Sequence, residues 1–245
     1  MRTDSLIALD WGTSALRGAL LDAAGRVLER RDAPAGVQAV ADGRFRQAFE
    51  SLCSDWLDAP GERPVIAAGM IGSRQGWREA AYVEAPAGFG ALAGALLRID
   101  ELAGRPFAIV PGVSCTLPAG TRDVMRGEES QVFGALAADG LANATVLLPG
   151  THSKWVEVRE RRIVSLRTYM TGELYAALAG HTILGRLFPP SGGGDPRFAT
   201  HAFTDGLERA AADPAGLTAL LFSVRAEGCS AATRPTRCRR TCRAS

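Results

Sequence analysis

The sequence predicts an α/β fold made of two similar halves, and three observations carry that prediction. A short apolar strand ending in Asp-Trp-Gly-Thr opens a three-strand meander near the N-terminus. A second apolar strand, ending in Pro-Gly-Thr, opens another meander from residue 144. Each meander is followed by segments of helical spacing, so the order strand, Gly-Thr turn, strand, turn, strand, helix occurs twice.

The elements follow in order. Residues 5–10 form an apolar strand, 15–21 a second with Arg17 inside it, and 26–31 a third after the Asp22-Ala23-Ala24-Gly25 turn. Over 44–57, Phe45, Ala48, Phe49, Leu52 and Trp56 share one helical face. Residues 64–70 read as a buried strand ending in Gly69-Met70, 89–99 as a helix, 107–110 as a strand and 128–138 as a helix. The pattern then restarts: strands at 144–149, 154–158 and 163–170, with helical segments at 172–187 and 198–225. The boundary between the halves falls near 140–144, giving expected domains 1–141 and 142–227.

Composition narrows the function classes. With 245 residues and 47% hydrophobic content, the chain can bury a real core. A net charge of +2 lacks the excess of a dedicated nucleic-acid binder, so no nucleic-acid partner is expected. No stretch reaches the roughly 20 apolar residues of a membrane span. The N-terminus does not read as a signal peptide, and Cys53 and Cys115 suit reduced thiols, so the expected location is the cytoplasm. A homo-oligomer is compatible with the sequence. Residues 228–245 differ from all before them and hold Cys229, Cys238 and Cys242. That tail has neither a Cys-x-x-Cys pair nor a histidine, which argues against zinc.

Two motifs carry phosphate chemistry. In Leu9-Asp10-Trp11-Gly12-Thr13-Ser14-Ala15-Leu16-Arg17, a carboxylate sits at a strand end and Gly12 permits a tight turn. Thr13 and Ser14 add hydroxyls. Backbone N–H groups of such a turn suit phosphate oxygens, and Asp10 suits Mg or its water shell. In Leu148-Pro149-Gly150-Thr151-His152-Ser153-Lys154-Trp155-Val156 the same design recurs, and Lys154, the one lysine of the chain, adds a positive charge. Two such turns would clamp a nucleotide's phosphates.

These paired turns resemble the phosphate-1 and phosphate-2 motifs of the actin-like ATPase and sugar-kinase superfamily. The wording is narrower still. Asp10-Trp11-Gly12-Thr13-Ser14, Gly69-Met70-Ile71-Gly72-Ser73-Arg74-Gln75-Gly76-Trp77, Pro111-Gly112-Val113, Asp123-Val124-Met125-Arg126-Gly127-Glu128-Glu129-Ser130-Gln131 and Pro149-Gly150-Thr151-His152-Ser153-Lys154-Trp155 resemble the 2-dehydro-3-deoxygalactonokinase family, in its order. The resemblance covers roughly residues 5–227. It implies two ribonuclease-H-like domains flanking a cleft. It also implies transfer of the ATP γ-phosphate, with Mg, to the 6-hydroxyl of 2-dehydro-3-deoxy-D-galactonate in galactonate breakdown.

The resemblance also assigns roles. Asp10, Gly12, Thr13, Ser14 and Arg17 with Gly150, Thr151, His152, Ser153 and Lys154 would hold the nucleotide, Asp10 also serving the metal. A carboxylate opening the helix after the first domain's last strand would accept the hydroxyl proton. Glu129 is favoured, then Glu128, then Asp123; the plainer reading of the two glutamates is preference for a helix N-terminus. In the 69–77 loop, Arg74 suits the substrate carboxylate, Gln75 adds a polar group and Trp77 could pack on the carbon chain.

The chain departs from the family after the Arg225 region, where the family continues into a Leu-Pro-x-Tyr-Leu-Ser-Gly-Leu type of segment. Suitable GC-rich codons for 228–245, read one base out of frame, yield such a segment. The expectation is a frameshift after Glu227, a C-terminally truncated second domain and a disordered tail. The alternatives are an inactive or sugar-acid-binding remnant, or another actin-like phosphotransferase.

Overall fold

The computed structural model describes residues 5–58, 63–100, 105–187 and 200–232. The chain divides into two compact units, Met1–Tyr169 and Met170–Ser245.

In the first unit, β1 (Leu6–Trp11), β2 (Leu16–Leu21) and β3 (Val27–Ala33) form the expected meander, followed by α1 (Phe45–Asp58) and β4 (Val65–Ala68). Next come β5 (Val83–Glu84), β6 (Ala87–Gly88), α2 (Phe89–Gly94), β7 (Leu97–Ile99), β8 (Phe107–Ile109), β9 (Val113–Thr116), β10 (Arg122–Met125) and α3 (Glu128–Ala138). A second meander, β11 (Ala144–Leu148), β12 (His152–Arg159) and β13 (Arg162–Met170), closes the unit.

The main sheet has the order β3-β2-β1-β4-β8-β7. Its meander strands pair antiparallel, whereas β1–β4 and β4–β8 pair parallel. Period-two alternation in β1 sends Ile7, Leu9 and Trp11 to one face. There they pack with Phe45, Phe49, Leu52 and Trp56 of α1 in one core. Each such fully buried side chain contributes roughly 1.5–3 kcal/mol.

A second core joins Val132 and Leu136 of α3 to Val110, Met125 and the inward residues Val156, Val158, Ile163 and Leu166 of the second meander. The expected 141/142 boundary therefore falls inside the first compact unit, because this meander buries its apolar face in a core shared with α3.

The expected helix over 89–99 stops at Gly94. Leu97–Ile99 instead pairs antiparallel with β8, matching Leu97 to Ile109 and Ile99 to Phe107. The sheet edge outweighs a run whose helical period Gly90 and Gly94 already weaken.

The second unit holds α4 (Gly172–His181), a 3-10 turn (Ile183–Leu187), α5 (Thr200–Ala212) and α6 (Leu217–Ala232). Phe203, Leu207, Leu217 and Phe222 are exposed. Residues 228–232, which open the expected disordered tail, continue α6 as helix. Residues 233–245, with Cys238 and Cys242, lie outside the described residues. No helix among the described residues is long and apolar enough to cross a membrane.

Candidate active site

The end of β1 is built for close approach. Gly12 N–H donates to the Ala15 carbonyl at 2.9 Å, closing the turn. The turn is held by the segment after β3: Val37 N–H donates to Gly12 O at 3.0 Å and Gln38 N–H to Thr13 O at 3.2 Å. Trp11 Nε1 donates to Ala35 O at 2.8 Å. Gly36 makes this possible, since a Cβ there would lie 2.3 Å from the Ser14 carbonyl carbon. Thr13 and Ser14 are exposed. Asp10, 53% exposed, accepts a 3.1 Å hydrogen bond from Arg17 Nη1, its cross-strand partner.

Two glycines bring the other strand ends to Asp10. Gly69, after β4, has φ 98°, and a Cβ on it would meet Trp11 O at 2.8 Å and Asp10 Oδ1 at 3.6 Å. Gly127, before α3, has φ 107°, and its Cβ would meet Gly69 Cα at 3.0 Å. Both are left-handed conformations that side chains other than glycine's resist. Asp10, Gly69 and Gly127 are thus stacked, and α3 begins beside the end of β1.

Of the three candidate bases, the structure places two at that helix start. Glu129 lies on the inward stripe of α3 with Val132 and Leu136 and is fully buried. Both its carboxylate oxygens accept from Gly127 N–H, at 2.9 and 2.7 Å. Burial pushes its pKa up to about 7, opposed by backbone N–H groups, raised further by Glu128 and lowered by Arg126. Glu128 is half-buried and accepts from Arg126 N–H at 2.9 Å. Asp123 is elsewhere: its carboxylate accepts from the Thr168 N–H at 2.7 Å and from the Thr168 hydroxyl at 2.6 Å.

The second turn has a different character. Gly150, Thr151 and His152 are exposed, whereas Ser153 and Lys154 are buried. Lys154 Nζ donates to the Val124 carbonyl and to Thr168 Oγ1, both at 2.8 Å. Lys154, Thr168 and Asp123 therefore form one network tying β12 and β13 to β10.

In the 69–77 loop Arg74 and Gln75 are exposed, and Arg74 Nε stands 3.6 Å from Glu79 Oε2. Trp77 packs edge-on to Phe107 at 5.3 Å between ring centroids. Sequence reasoning missed Arg126 as a site residue. It also missed Ser130 and Gln131, which with Asp10 and Gly127 line an apolar groove of about 1060 Å³. Their adjacency to the glutamates in the motif was the available signal.

Among the described residues, no group of three or more His, Cys, Asp or Glu is arranged to hold a metal ion. Mg asks for less, since one or two carboxylates plus substrate phosphates suffice. A half-exposed Asp10 beside a phosphate-type turn fits that demand.

The six-stranded sheet, with Asp10 at the end of β1 beside a tight glycine turn and the glutamates at the start of α3, defines an α/β protein with a carboxylate-lined site. The 2-keto-3-deoxy-galactonokinase family profile matches residues 10–242. The chain belongs to that family, whose members use ATP to phosphorylate an alcohol group of a small molecule. It is 40% identical over 221 residues to a protein of Rhizobium meliloti (strain 1021) bearing the name 2-dehydro-3-deoxygalactonokinase, covering 89% of this chain and 70% of that one. The 2-dehydro-3-deoxygalactonokinase of Escherichia coli (strain K12) is 37% identical over 224 residues, 91% of this chain and 71% of the relative. A crystal structure from Sinorhizobium meliloti, described under the same enzyme name, superposes with a TM-score of 0.81 at 39% identity, over 90% of this chain and 72% of the other.

Proposed function

We propose that the protein transfers the γ-phosphoryl group of ATP to the 6-hydroxyl of 2-dehydro-3-deoxy-D-galactonate, with Glu129 as the base. The observation that carries this reading is the buried Glu129 carboxylate set against Asp10 through the Gly69–Gly127 contact. The 6-hydroxyl oxygen attacks the γ-phosphorus and the bond to the β-bridging oxygen breaks. ADP leaves, and the hydroxyl proton passes to Glu129. A carboxyl group titrating near 7 suits that work at neutral pH. Glu128 holds the Arg126 backbone at the helix start.

Thr13, Ser14 and the backbone around Gly12 take phosphate oxygens, with Arg17 orienting Asp10. Gly150, Thr151, His152 and Ser153 form the second phosphate turn. Lys154 and Asp123 support it through Thr168. Asp10 holds Mg, which when bound offsets charge on the phosphates. Arg74 and Gln75 offer donors to the sugar acid, and Trp77 anchors their loop.

A cytoplasmic location belongs to the same reading. The enzymatic test is ADP release with ATP, Mg and 2-dehydro-3-deoxy-D-galactonate. Turnover dependent on the sugar acid is expected. ATP bound with no sugar-acid-dependent turnover would overturn the substrate assignment.

A further inference from the structure

The β10–α3 junction holds a cation that the protein leaves unsatisfied. Arg126 is about nine-tenths buried. Its Nη2 donates to the Ala80 carbonyl at 2.9 Å. Its Nε and Nη1 are enclosed and have no hydrogen-bond partner. The guanidinium lies over the Tyr82 ring, 4.2 Å from its centroid. Gly72 leaves it room, since a Cβ there would sit 3.0 Å from Nη1.

The two acids of the same junction accept their hydrogen bonds from the backbone, although Glu129 feels the guanidinium's charge. Glu128 accepts from the Arg126 backbone and Glu129 from the Gly127 backbone. An arginine stays charged at any working pH. A buried, uncompensated charge is costly, and the usual remedy is an opposite charge with hydrogen bonds. Among the described residues no protein group supplies one to Nε or Nη1.

Location identifies the missing anion. Arg126 stands between the 69–77 loop, through Gly72, and the helix start that carries Glu129. A sugar acid has a carboxylate at one end and the reacting hydroxyl at the other. A cation and a base three residues apart put one group for each end on a single junction. Nucleotide phosphates have their own donors at the strand turns.

We propose that Arg126 binds the carboxylate of the sugar-acid substrate and makes the site selective for acids over neutral sugars. This rests on the kinase reading above and deepens it. Sequence alone favours Arg74 for the task, but Arg74 is 87% exposed and beside Glu79, where water and a local carboxylate weaken its pull.

The test is calorimetric binding of 2-dehydro-3-deoxy-D-galactonate and of its neutral carboxamide. The proteins compared are the wild type and the Arg126→Met, Arg126→Lys and Arg74→Met variants, each checked by thermal melting. Arg126→Met is expected to weaken acid binding on the order of 10²-fold and to abolish the preference for acid over carboxamide. Its KM for ATP should stay within about twofold. Arg126→Lys, which keeps the charge and is the milder variant should Arg126→Met not fold, is expected to retain the preference with acid binding weakened roughly tenfold.

A folded Arg126→Met, or failing that Arg126→Lys, with wild-type acid affinity overturns the inference and leaves the kinase reading standing. So does loss of acid preference in Arg74→Met alone, or a raised KM confined to ATP. Failure of the wild type to bind the acid at all overturns the kinase reading, and this inference with it.

Discussion

The two Gly-Thr turns share a sequence design and differ in what their charged side chains do. At the first, Asp10 is half exposed and has one cross-strand partner, Arg17. At the second, Lys154 is buried and spends its ammonium on Val124 O and Thr168 Oγ1. The exposed group is free to meet a ligand, whereas the buried one is committed to the fold. A repeated local pattern thus gives two strand-to-strand turns of different length, and the third dimension assigns the side chains.

The largest effect that would sharpen this contrast belongs to Glu129, which the glycine stack brings beside the first turn. Glu129→Gln is expected to lower kcat on the order of 10²–10⁴-fold with the fold retained. In the wild type kcat should rise with pH through about 7, as the carboxyl loses its proton. Stability should move the other way. The folded pKa is raised from 4.5 to about 7, so this contribution is fully present below about 4.5 and is lost as pH rises through 7. The change is on the order of 3 kcal/mol. Denaturant titrations at pH 5 and 8 should show it, and Glu129→Gln should remove it.

Next comes the pair Asp10→Asn and Lys154→Met. Asp10→Asn is expected to reduce turnover about 10²–10³-fold and to change stability by less than about 1 kcal/mol, because its ion pair with Arg17 is exposed. Lys154→Met is expected to cost about 1–3 kcal/mol, through unpaired Val124 and Thr168 groups. Steady-state kinetics beside thermal melting separates the two. A Lys154→Met protein that melts like wild type yet loses turnover would break the contrast and make the Lys154 ammonium a ligand group as well.

The smallest effect tests how the first turn is held. Gly36→Ala places a carbon 2.3 Å from the Ser14 backbone, so the 35–38 segment must withdraw from the turn. A loss of about 2 kcal/mol is expected, with a raised KM for ATP as the turn loosens. An unchanged melting temperature would show that the segment does not hold the turn.

Much of the fold was legible because period and length speak directly in this chain. The meander β1–β3 and helices α1 and α3 lie within a few residues of their expected bounds, since β1 presents a clean alternation and α1 a 3.6-residue stripe. The short strands β5, β6, β9 and β10 were not legible, because two to four residues carry no period. Residues 97–99 misled for the reverse reason: their local preference was helical, and pairing with β8 decided otherwise.

The candidate site divides along the same line. Sequence by itself determined the two turns, the glutamate pair at the start of α3 and the family to which the chain belongs, because those are local patterns of residue type and order. Only the tertiary structure buried Glu129 while leaving Glu128 half-buried, tied Lys154 and Asp123 into a shared network, and left two nitrogens of the Arg126 guanidinium without hydrogen-bond partners. Burial, charge pairing and hydrogen-bond partners are set by residues distant in the chain, such as Gly69 against Gly127 and Ala80 against Arg126. No local window of sequence contains both members of such a pair.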